Sequence, residues 1–356
     1  MARPVHGGTN IAELRSLGLR PEDVLDFSAS INPLGAPHGV NQAMNCVDLT
    51  AYPDTECTAL RDALAEQIGV STDKILVGNG STELIHLTAR AFLGSGDRAV
   101  IFAPTFGEFK AACDMQAAQV VSIVAAEDDG FRWNIADATK LIAEQSPSLV
   151  FLCNPNNPTG HYLTEEDVRQ IARALPKDSL LLLDEAYLPF VDAPWNSLPL
   201  LDLGNVALMR SMTKDYALTA LRLGYMLAPP GVVERIRAQQ HSWSVNSPAQ
   251  SAGIAALADP EHVEDGRKAV EAAKRYLIGE LDALGIRDTP SAANFVLVKV
   301  GDARALRQTL LKRHHIGVRD CASFGLPKHI RIGIRTIDDC RRLVAALREI
   351  LEHGNE

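Results

Sequence analysis

Three short polar segments, each following an apolar run, carry the side chains most capable of chemistry. They are Asn154–Gly160 (NPNNPTG), Asp184–Tyr187 (DEAY) and Ser211–Lys214 (SMTK). Asn157 precedes Asp184 by 27 residues and Asp184 precedes Lys214 by 30 residues, and each interval is close to one β-α-β step. Ligands of open α/β sheets bind beyond the carboxyl ends of the strands. We therefore expect these segments to meet in one site.

The side chains of these segments suit the chemistry of an aromatic aldehyde. Lys214 offers an amine that forms a Schiff base with an aldehyde if its pKa falls from about 10.4. Asp184 can hold a proton on a pyridine-type nitrogen and so make the ring an electron sink. Asn157 and Tyr187 can form hydrogen bonds to a phenolate oxygen on the same ring.

A second group of residues is suited to binding a phosphate. Ser211, Thr213 and Arg222 surround the lysine with hydrogen-bond donors. The segment Gly78–Thr82 (GNGST) lies between an apolar run and a predicted helix, where backbone N–H groups would bind the same phosphate. Taken singly, each motif has an ordinary explanation, such as a turn, a helix cap or a solvated lysine. The conjunction of the motifs favours a site.

The elements that would position these residues alternate along the chain from about residue 55. Helices are predicted at Thr58–Ile68, Ser81–Phe92, Gly107–Ala117 and Glu165–Ala174. Short strands are predicted at Ile75–Val77, Arg98–Phe102, Gln119–Val124, Leu149–Leu152, Leu180–Leu183, Val206–Arg210 and Gly224–Leu227. Apolar strands without clear alternation, separated by helices, indicate an α/β fold with a mostly parallel sheet sandwiched by helices.

The two ends of the chain differ from this central pattern. The first 35 residues are rich in Gly, Pro, Asn and Ser and predict an irregular arm with one short helix near Ile11–Leu17. Helical patterns over Pro230–Gln240 and Pro248–Leu284 precede a β-α-β-α succession, which predicts a smaller α+β domain. The predicted division is an N-terminal arm (1–35), a large domain (36–240) and a small C-terminal domain (241–356).

Composition limits the classes of protein that the chain can represent. The 356 residues include 35 Lys and Arg and 44 Asp and Glu, a net charge of −9, which argues against a dedicated nucleic-acid binder. Hydrophobic residues make up 46% of the chain, enough for a sizeable core. No apolar run has the length of a signal peptide or a membrane span. Six scattered cysteines without a CxxC pair indicate reduced thiols, so we expect a cytoplasmic protein without a metal site.

With these motifs the chain resembles the pyridoxal-phosphate (PLP) enzymes of fold type I, in the class I/II aminotransferase group, over essentially its whole length. The resemblance implies pyridoxal 5'-phosphate as the cofactor, a mixed seven-stranded sheet in the large domain, and a homodimer with shared active sites. It implies that Lys214 binds the cofactor aldehyde, that Asp184 pairs with the pyridine nitrogen, and that Asn157 and Tyr187 hold the ring oxygen. The implied phosphate ligands are Gly80, Ser81, Thr82, Ser211, Thr213 and Arg222.

Two aromatic residues match further features of this family. Phe106, in Pro104–Gly107 (PTFG), resembles the aromatic residue that stacks on the cofactor ring. An ordinary core phenylalanine is an equal alternative. Tyr52, in Ala51–Asp54 (AYPD), resembles the tyrosine that reaches the cofactor phosphate of the partner subunit, and its alternative is a turn residue.

Two groups within this family share most of these motifs. Histidinol-phosphate aminotransferases share NPNNPTG, the lysine segment and Val318–Gly325 (VRDCASFG). Threonine-phosphate decarboxylases of cobalamin synthesis share them too and add an N-terminal signature, here His6–Gly8 (HGG) and Leu25–Gly35 (LDFSASINPLG). Trp243–Asn246 and Ile330–Arg335 also resemble the decarboxylases more. The resemblance therefore favours the decarboxylases, with the aminotransferases as the alternative.

The substrate implied by that resemblance, L-threonine O-3-phosphate, carries a carboxylate and a phosphate, so its site needs several cations. By the family match, Arg331 would bind the carboxylate, and His6 with Arg319 would bind the phosphate. Further substrate contacts are implied for Gly7, Asn32, Asn157 and Arg335. An arginine at the surface or at a strand edge is an equal interpretation of Arg335. Without the surrounding HGG, His6 would be interpreted as a disordered-arm histidine.

The resemblance thus predicts a PLP-dependent carboxy-lyase that converts L-threonine O-3-phosphate to (R)-1-aminopropan-2-yl phosphate and CO₂ in cobalamin biosynthesis. The alternative is transamination between histidinol phosphate and 2-oxoglutarate. Lys214 and Asp184 are the expected catalytic residues in both reactions. A third hypothesis, a non-catalytic PLP-binding regulator, is disfavoured because the sequence has no helix-turn-helix pattern and no basic extension.

Overall fold

A computed structural model of the protein describes residues 5–353, so the outermost ends of the predicted arm and small domain lie outside the described residues. The strands in this range are β1 (Leu25–Asp26), β2 (Ile75–Asn79), β3 (Arg98–Ala103), β4 (Gln119–Val124), β5 (Leu149–Cys153), β6 (Leu180–Asp184), β7 (Val206–Ser211), β8 (Leu223–Leu227), β9 (Asp288–Thr289), β10 (Phe295–Lys299), β11 (Ile316–Gly317), β12 (Arg319–Asp320) and β13 (His329–Gly333).

The α-helices in the same range alternate with these strands. They are α1 (Ile11–Ser16), α2 (Gly39–Asn45), α3 (Thr58–Ile68), α4 (Gly80–Phe92), α5 (Gly107–Met115), α6 (Ile135–Gln145), α7 (Glu165–Ala174), α8 (Pro230–Arg237), α9 (Ser247–Leu257), α10 (Glu261–Ala283), α11 (Ala303–His314) and α12 (Ile337–His353). Among the described helices, none combines the length and the apolar character needed to cross a membrane.

Seven strands form one sheet in the order β2-β8-β7-β6-β5-β3-β4. Strands β3 to β7 pair in parallel, whereas β8 runs antiparallel to both of its neighbours, β2 and β7. Every residue of β5 and β6 is buried, as expected for strands covered by helices on both faces. The mostly parallel, helix-covered sheet predicted from the sequence is therefore confirmed, with one antiparallel strand.

Alternate residues of the central strands pack into two apolar clusters on opposite faces of the sheet. Leu181 and Leu183 join the cluster completed by α3, α6, α7 and α9, whereas Leu180 and Leu182 join the cluster completed by α4, α5 and α8. Successive side chains of a strand point to opposite faces, so an unbroken leucine run fills both clusters. This burial places Asp184, the last residue of β6, at the carboxyl edge of the sheet.

The C-terminal part forms a second, antiparallel sheet in the order β12-β13-β10-β9. Helices α10, α11 and α12 pack with it in a third apolar cluster. The arm joins this part, because Leu25 of β1 pairs in parallel with Ile316 of β11. Phe27 is fully buried in the same cluster, and its carbonyl accepts a hydrogen bond from Gly333 N–H at 2.8 Å.

Some helices differ from the sequence prediction. The helical stretch predicted over Pro248–Leu284 is two helices, because α9 ends at Leu257 and α10 begins at Glu261. Pro260 lies at the junction, where its missing N–H and fixed ring interrupt a continuing helix. The sequence prediction also omits α2 and α6, although Asn134 caps the start of α6 with its side chain.

Helix α9 contacts the core of the large sheet. Ala249, Ala252 and Ala256 of this helix lie in the same cluster as Leu60 and Leu64 of α3. The predicted boundary after residue 240 assigns α9 to the small domain, whereas its apolar contacts are with the large sheet. The exact division of the chain into domains stays a prediction.

Candidate active site

A cavity of about 860 Å³ lies at the carboxyl edge of the large sheet, beside the start of α4 and beneath the arm. The predicted residues that line it are His6, Gly7, Ser81, Thr82, Phe106, Asn157, Asp184, Tyr187, Thr213, Lys214, Arg222, Arg319 and Arg331. The cavity thus gathers residues from the arm, the large sheet and the C-terminal sheet. The convergence of the three polar segments, expected from their positions after successive strands, is what the structure shows.

Lys214 lies in the loop after β7, with its amine directed at the cavity wall formed by Tyr187. Its Nζ is 6.0 Å from the centroid of the Tyr187 ring. Burial, together with the positive charges of Arg331 and Arg222, lowers the pKa of Lys214 to about 8, although the charge of Asp184 acts in the opposite direction. A buried amine with a lowered pKa is available as a neutral nucleophile near pH 8.

Asp184 is a buried carboxylate without a cationic side-chain partner among the described ion pairs. Its Oδ1 accepts a hydrogen bond from Ala186 N–H at 2.9 Å. Burial raises the pKa of Asp184 to about 6, and the hydrogen bond from Ala186 and the charge of Lys214 act in the opposite direction. A buried carboxylate is costly unless a positive group pairs with it, so this residue fits a protonated ring nitrogen.

Arg331 links the inner wall of the cavity to the arm. Its Nη1 donates a hydrogen bond to Asn157 Oδ1, and its Nη2 donates to the carbonyl of Ser28 at 2.9 Å. Its Nε is buried and has no hydrogen-bond partner among residues 5–353. The guanidinium lies 5.0 Å from the centroid of Phe295, whose ring also packs edge-on against Tyr187 at 5.0 Å. Burial raises the pKa of Tyr187 to about 12, so its hydroxyl stays protonated and can donate.

The start of α4 forms a cradle that fits a phosphate. Ser81 and Thr82 occupy the first turn of α4, where backbone N–H groups lack partners within the helix. Arg222 lies beside this turn and donates from Nη1 to the carbonyl of Thr219 at 3.1 Å. The site thus offers the backbone N–H groups of Ser81 and Thr82, the guanidinium of Arg222 and the hydroxyl of Thr213. These donors match the charge and the hydrogen-bonding capacity of a phosphate. The residues present therefore fit PLP.

Two predicted phosphate ligands stand behind this cradle and do not line the cavity. Gly80 is the first residue of α4 and packs against Arg222. Ser211 is buried, and its hydroxyl is 2.7 Å from the hydroxyl of Thr213. Both residues therefore contact the residues that line the cavity.

Three other predicted residues are not brought to the cavity wall. The side chain of Asn32 is only 1% exposed; its Nδ2 donates to the carbonyl of Asp215 at 2.8 Å and its Oδ1 accepts from Leu34 N–H. Arg335 donates from Nε to Asp339 Oδ2 at 2.9 Å. Tyr52 is 78% exposed and stacks on Trp243 with ring centroids 4.4 Å apart.

Their locations have physical reasons that sequence patterns do not carry. Asn32 also donates from its backbone N–H to the carbonyl of Lys214 at 2.8 Å, so it holds the lysine loop from behind. Arg335 precedes Asp339 by four residues, a spacing that favours an ion pair at a helix start. The roles assigned to Asn32, Arg335 and Tyr52 stay predictions.

Sequence reasoning missed several residues that line the cavity, among them Ser28, and it missed Glu108, which contacts the lining residue His6. Ser28 lines the cavity, and its hydroxyl accepts a hydrogen bond from Gly8 N–H at 2.8 Å. Glu108, in the first turn of α5, is buried with one carboxylate oxygen 2.8 Å from His6 Nε2. An acidic residue in the first turn of a helix is usually explained by the helix dipole, so the sequence offered no signal for Glu108.

Comparisons with known proteins identify a family model and several similar proteins. The family model described as aminotransferase class I and II matches residues 22–347. A histidinol-phosphate aminotransferase of Symbiobacterium thermophilum is 36% identical over 96% of this chain and 93% of its own length. The bifunctional adenosylcobalamin biosynthesis protein CobDQ of Leptospira interrogans is 33% identical over 98% of this chain but only 41% of its own length.

Two solved structures share the fold. The histidinol-phosphate aminotransferase from Sinorhizobium meliloti, in complex with pyridoxal-5'-phosphate, has a TM-score of 0.88 and 27% identity, covering 98% of this chain and 95% of that chain. The L-threonine-O-3-phosphate decarboxylase from Porphyromonas gingivalis has a TM-score of 0.79 and 26% identity, covering 92% and 99%. The chain therefore belongs to the class I and II aminotransferases, a family of fold type I enzymes whose cofactor is pyridoxal 5'-phosphate.

Proposed function

We propose that this enzyme decarboxylates L-threonine O-3-phosphate to (R)-1-aminopropan-2-yl phosphate and CO₂ in cobalamin biosynthesis. The observation that carries the proposal is the position of the arm, because His6, Gly7 and Gly8 line the same cavity as Lys214. This is the HGG signature by which the sequence resembles the threonine-phosphate decarboxylases. The CobDQ relative and the Porphyromonas structure support the same assignment.

The charges of the cavity suit a substrate with two anionic groups. Arg331 lies deep in the cavity beside Asn157 and would bind the carboxylate. Arg319 and His6 lie at the arm and would bind the phosphate. Arginine pairs with either anion through two parallel hydrogen bonds. Holding the substrate at both ends orients its α-carbon toward Lys214.

When bound, PLP supplies an electron sink for the α-carbon of an amino acid. Asp184 would hold the proton at the ring nitrogen, and Tyr187 with Asn157 would hold the ring oxygen. Lys214 Nζ would return a proton to the α-carbon once CO₂ has left, because its pKa of about 8 suits proton transfer near neutral pH. The grip of Arg331 on the carboxylate would decide which α-carbon bond faces the ring.

The second candidate is transamination between histidinol phosphate and 2-oxoglutarate. The 36% identity to the Symbiobacterium aminotransferase favours it over the decarboxylase. The highest TM-score reported above, that of the Sinorhizobium aminotransferase, favours it as well. Lys214, Asp184 and Arg331 would serve this reaction equally well, since a phosphate and a carboxylate occur among its substrates too.

A paired assay on the purified, PLP-loaded enzyme separates the two candidates. One arm measures CO₂ released from L-threonine O-3-phosphate, and the other measures glutamate formed from histidinol phosphate and 2-oxoglutarate. We expect the wild-type enzyme to release CO₂. We expect the Lys214→Ala variant to lose both CO₂ release and the visible absorbance of the bound cofactor. If glutamate is formed and no CO₂ is released, the aminotransferase function would be assigned in place of the decarboxylase function. Neither product, with no spectral response to amino acids, would support a PLP-binding regulator.

We also infer a cytoplasmic homodimer. The six cysteines are free thiols, as is usual in a reducing compartment. Tyr52 and Trp243 form an exposed stacked pair, which suits coverage by a second copy. Sedimentation of the PLP-loaded protein is expected to give twice the mass of the 38.5 kDa chain. A monomer under conditions of full activity would contradict this inference.

A further inference from the structure

A buried carboxylate on α5 contacts two histidines, one of which, His6, lines the cavity. Glu108 Oε1 is 2.8 Å from His6 Nε2, and Glu108 Oε2 is 2.8 Å from His86 Nε2. The side chain of Glu108 is 9% exposed, whereas that of His6 is 47% exposed. His6 belongs to the arm, His86 to α4 and Glu108 to α5, so the carboxylate connects a surface segment to the scaffold.

The arrangement is a hydrogen-bond chain. Each carboxylate oxygen accepts from a different imidazole, which satisfies both oxygens of a nearly buried acid. Within residues 5–353 no group of three or more His, Cys, Asp or Glu side chains is arranged to hold a metal ion. We therefore interpret the hydrogen bonds of Glu108 as contacts that orient the two imidazole rings.

The other contacts of the arm near His6 involve its backbone. Arg319 Nη2 donates to the carbonyl of Val5 at 2.8 Å, and Gly8 N–H donates to Ser28 Oγ at 2.8 Å. His6 is held through its ring, which also lies 5.6 Å from the ring of Phe106 between centroids. The backbone contacts thus place the segment, and Glu108 directs its one imidazole.

We propose that Glu108 is a positioning residue that fixes the ring of His6 over the cavity, and that His86 holds Glu108 in place. The hydrogen bond made by one ring nitrogen determines the state of the other. When the imidazolium form of His6 donates Nε2–H to Glu108, its second N–H, at Nδ1, is left to donate to an oxygen of a phosphorylated ligand. A ring oriented in advance loses less conformational freedom on binding. The ligand class rests on the proposed function.

A double-mutant cycle tests whether Glu108 acts through His6. Glu108→Ala is expected to raise KM for the phosphorylated substrate about tenfold, with a smaller effect on kcat. In the His6→Ala background the same substitution is expected to change KM less than about twofold, because the two residues act as one unit. An equal effect of Glu108→Ala in both backgrounds would overturn the proposal.

A second readout does not depend on any reaction. Hydrogen–deuterium exchange of the peptide containing residues 5–9 is measured on PLP-loaded protein. Glu108→Ala is expected to speed exchange about tenfold, His86→Ala less. The matched control is Glu127→Gln, since Glu127 faces His329 at 3.6 Å and Lys299 away from the cavity. It should leave exchange in the arm unchanged.

The two readouts separate this proposal from the proposed function. If exchange in the arm responds to Glu108→Ala but neither CO₂ nor glutamate is formed, the positioning role stands and the assigned reaction fails. If exchange in the arm is the same in wild type and Glu108→Ala, the positioning role fails whatever the reaction. Thermal unfolding of each variant identifies any loss of activity that comes from global destabilisation.

Discussion

At the scale of single residues, burial shifts the pKa of Lys214 and the pKa of Asp184 in opposite directions. Removal from water disfavours the charged form of each group, so the pKa of Lys214 falls to about 8 and that of Asp184 rises to about 6. The neutral amine suits attack on an aldehyde. The carboxylate gains a favourable partner when a positively charged ring nitrogen enters.

The lowered pKa of Lys214 predicts the pH dependence of cofactor capture. Only the neutral amine attacks an aldehyde, so the initial rate of PLP capture by apoprotein should rise with pH and level off above about 8. Stopped-flow absorbance across a pH series measures this rate. Lys214→Ala should show no bound-cofactor band at any pH. A midpoint near the ordinary lysine value of 10.5 would contradict the effect of burial.

At the scale of secondary structure elements, the phosphate cradle depends on close packing between α4 and β8. A Cβ atom on Gly224 of β8 would lie 2.7 Å from the backbone nitrogen of Ser81 and 3.0 Å from the carbonyl oxygen of Arg210. Both neighbours are backbone atoms, which cannot move aside cheaply. Glycine at this position therefore lets the N–H groups of α4 reach the cavity.

Gly224→Ala is expected to weaken PLP binding about tenfold, because relief of the overlap shifts the start of α4 and overpacking costs about 1–3 kcal/mol. Equilibrium titration with PLP measures the effect. The matched control is Gly231→Ala in α8, where a Cβ atom has no described neighbour within 4 Å. Equal PLP affinity in the two variants would show that the packing of α4 against Gly224 does not determine the geometry of the phosphate site.

At the scale of the whole molecule, the cavity is closed by parts of the chain that are far apart in sequence. The arm crosses it between the large sheet and β12–β13, with Arg319 and Arg331 contacting the arm backbone. Gly7 lies so close to another part of the arm that a Cβ atom would be 2.2 Å from the carbonyl oxygen of Ser28, and it would be 3.3 Å from Arg331 Nη2. The arm therefore packs against itself and beside Arg331 only because residue 7 has no side chain.

Gly7→Ala is expected to displace the arm and raise KM for the phosphorylated substrate about tenfold, while the cofactor absorbance is retained. Steady-state kinetics and a visible spectrum of the same sample measure both effects. Gly39→Ala is the matched control, since a Cβ atom there makes only an ordinary contact of 3.9 Å with Ala255. An unchanged KM in Gly7→Ala would remove the arm from the substrate site.

The sequence by itself determined the large sheet and the position of the candidate catalytic residues at its carboxyl edge. The leucine run of β6 ends at Asp184 and the run of β7 ends at Ser211, three residues before Lys214. Both runs are local patterns, and burial of a short apolar run depends little on what covers it. Helix boundaries are predicted less well. The break at Pro260 is an example, because helical patterns on both sides of the proline favour one continuous helix although proline itself interrupts it.

Only the tertiary structure decided which polar side chains face the cavity. Asn32 and Arg335, predicted at the substrate, donate hydrogen bonds to the carbonyl of Asp215 and to the carboxylate of Asp339, contacts that the sequence did not predict. Glu108, for which the sequence offered no signal, reaches His6 across about one hundred residues of chain. The partners of a polar side chain depend on how helices and strands pack against one another. The periodicity of the sequence predicts the helices and strands but not this packing.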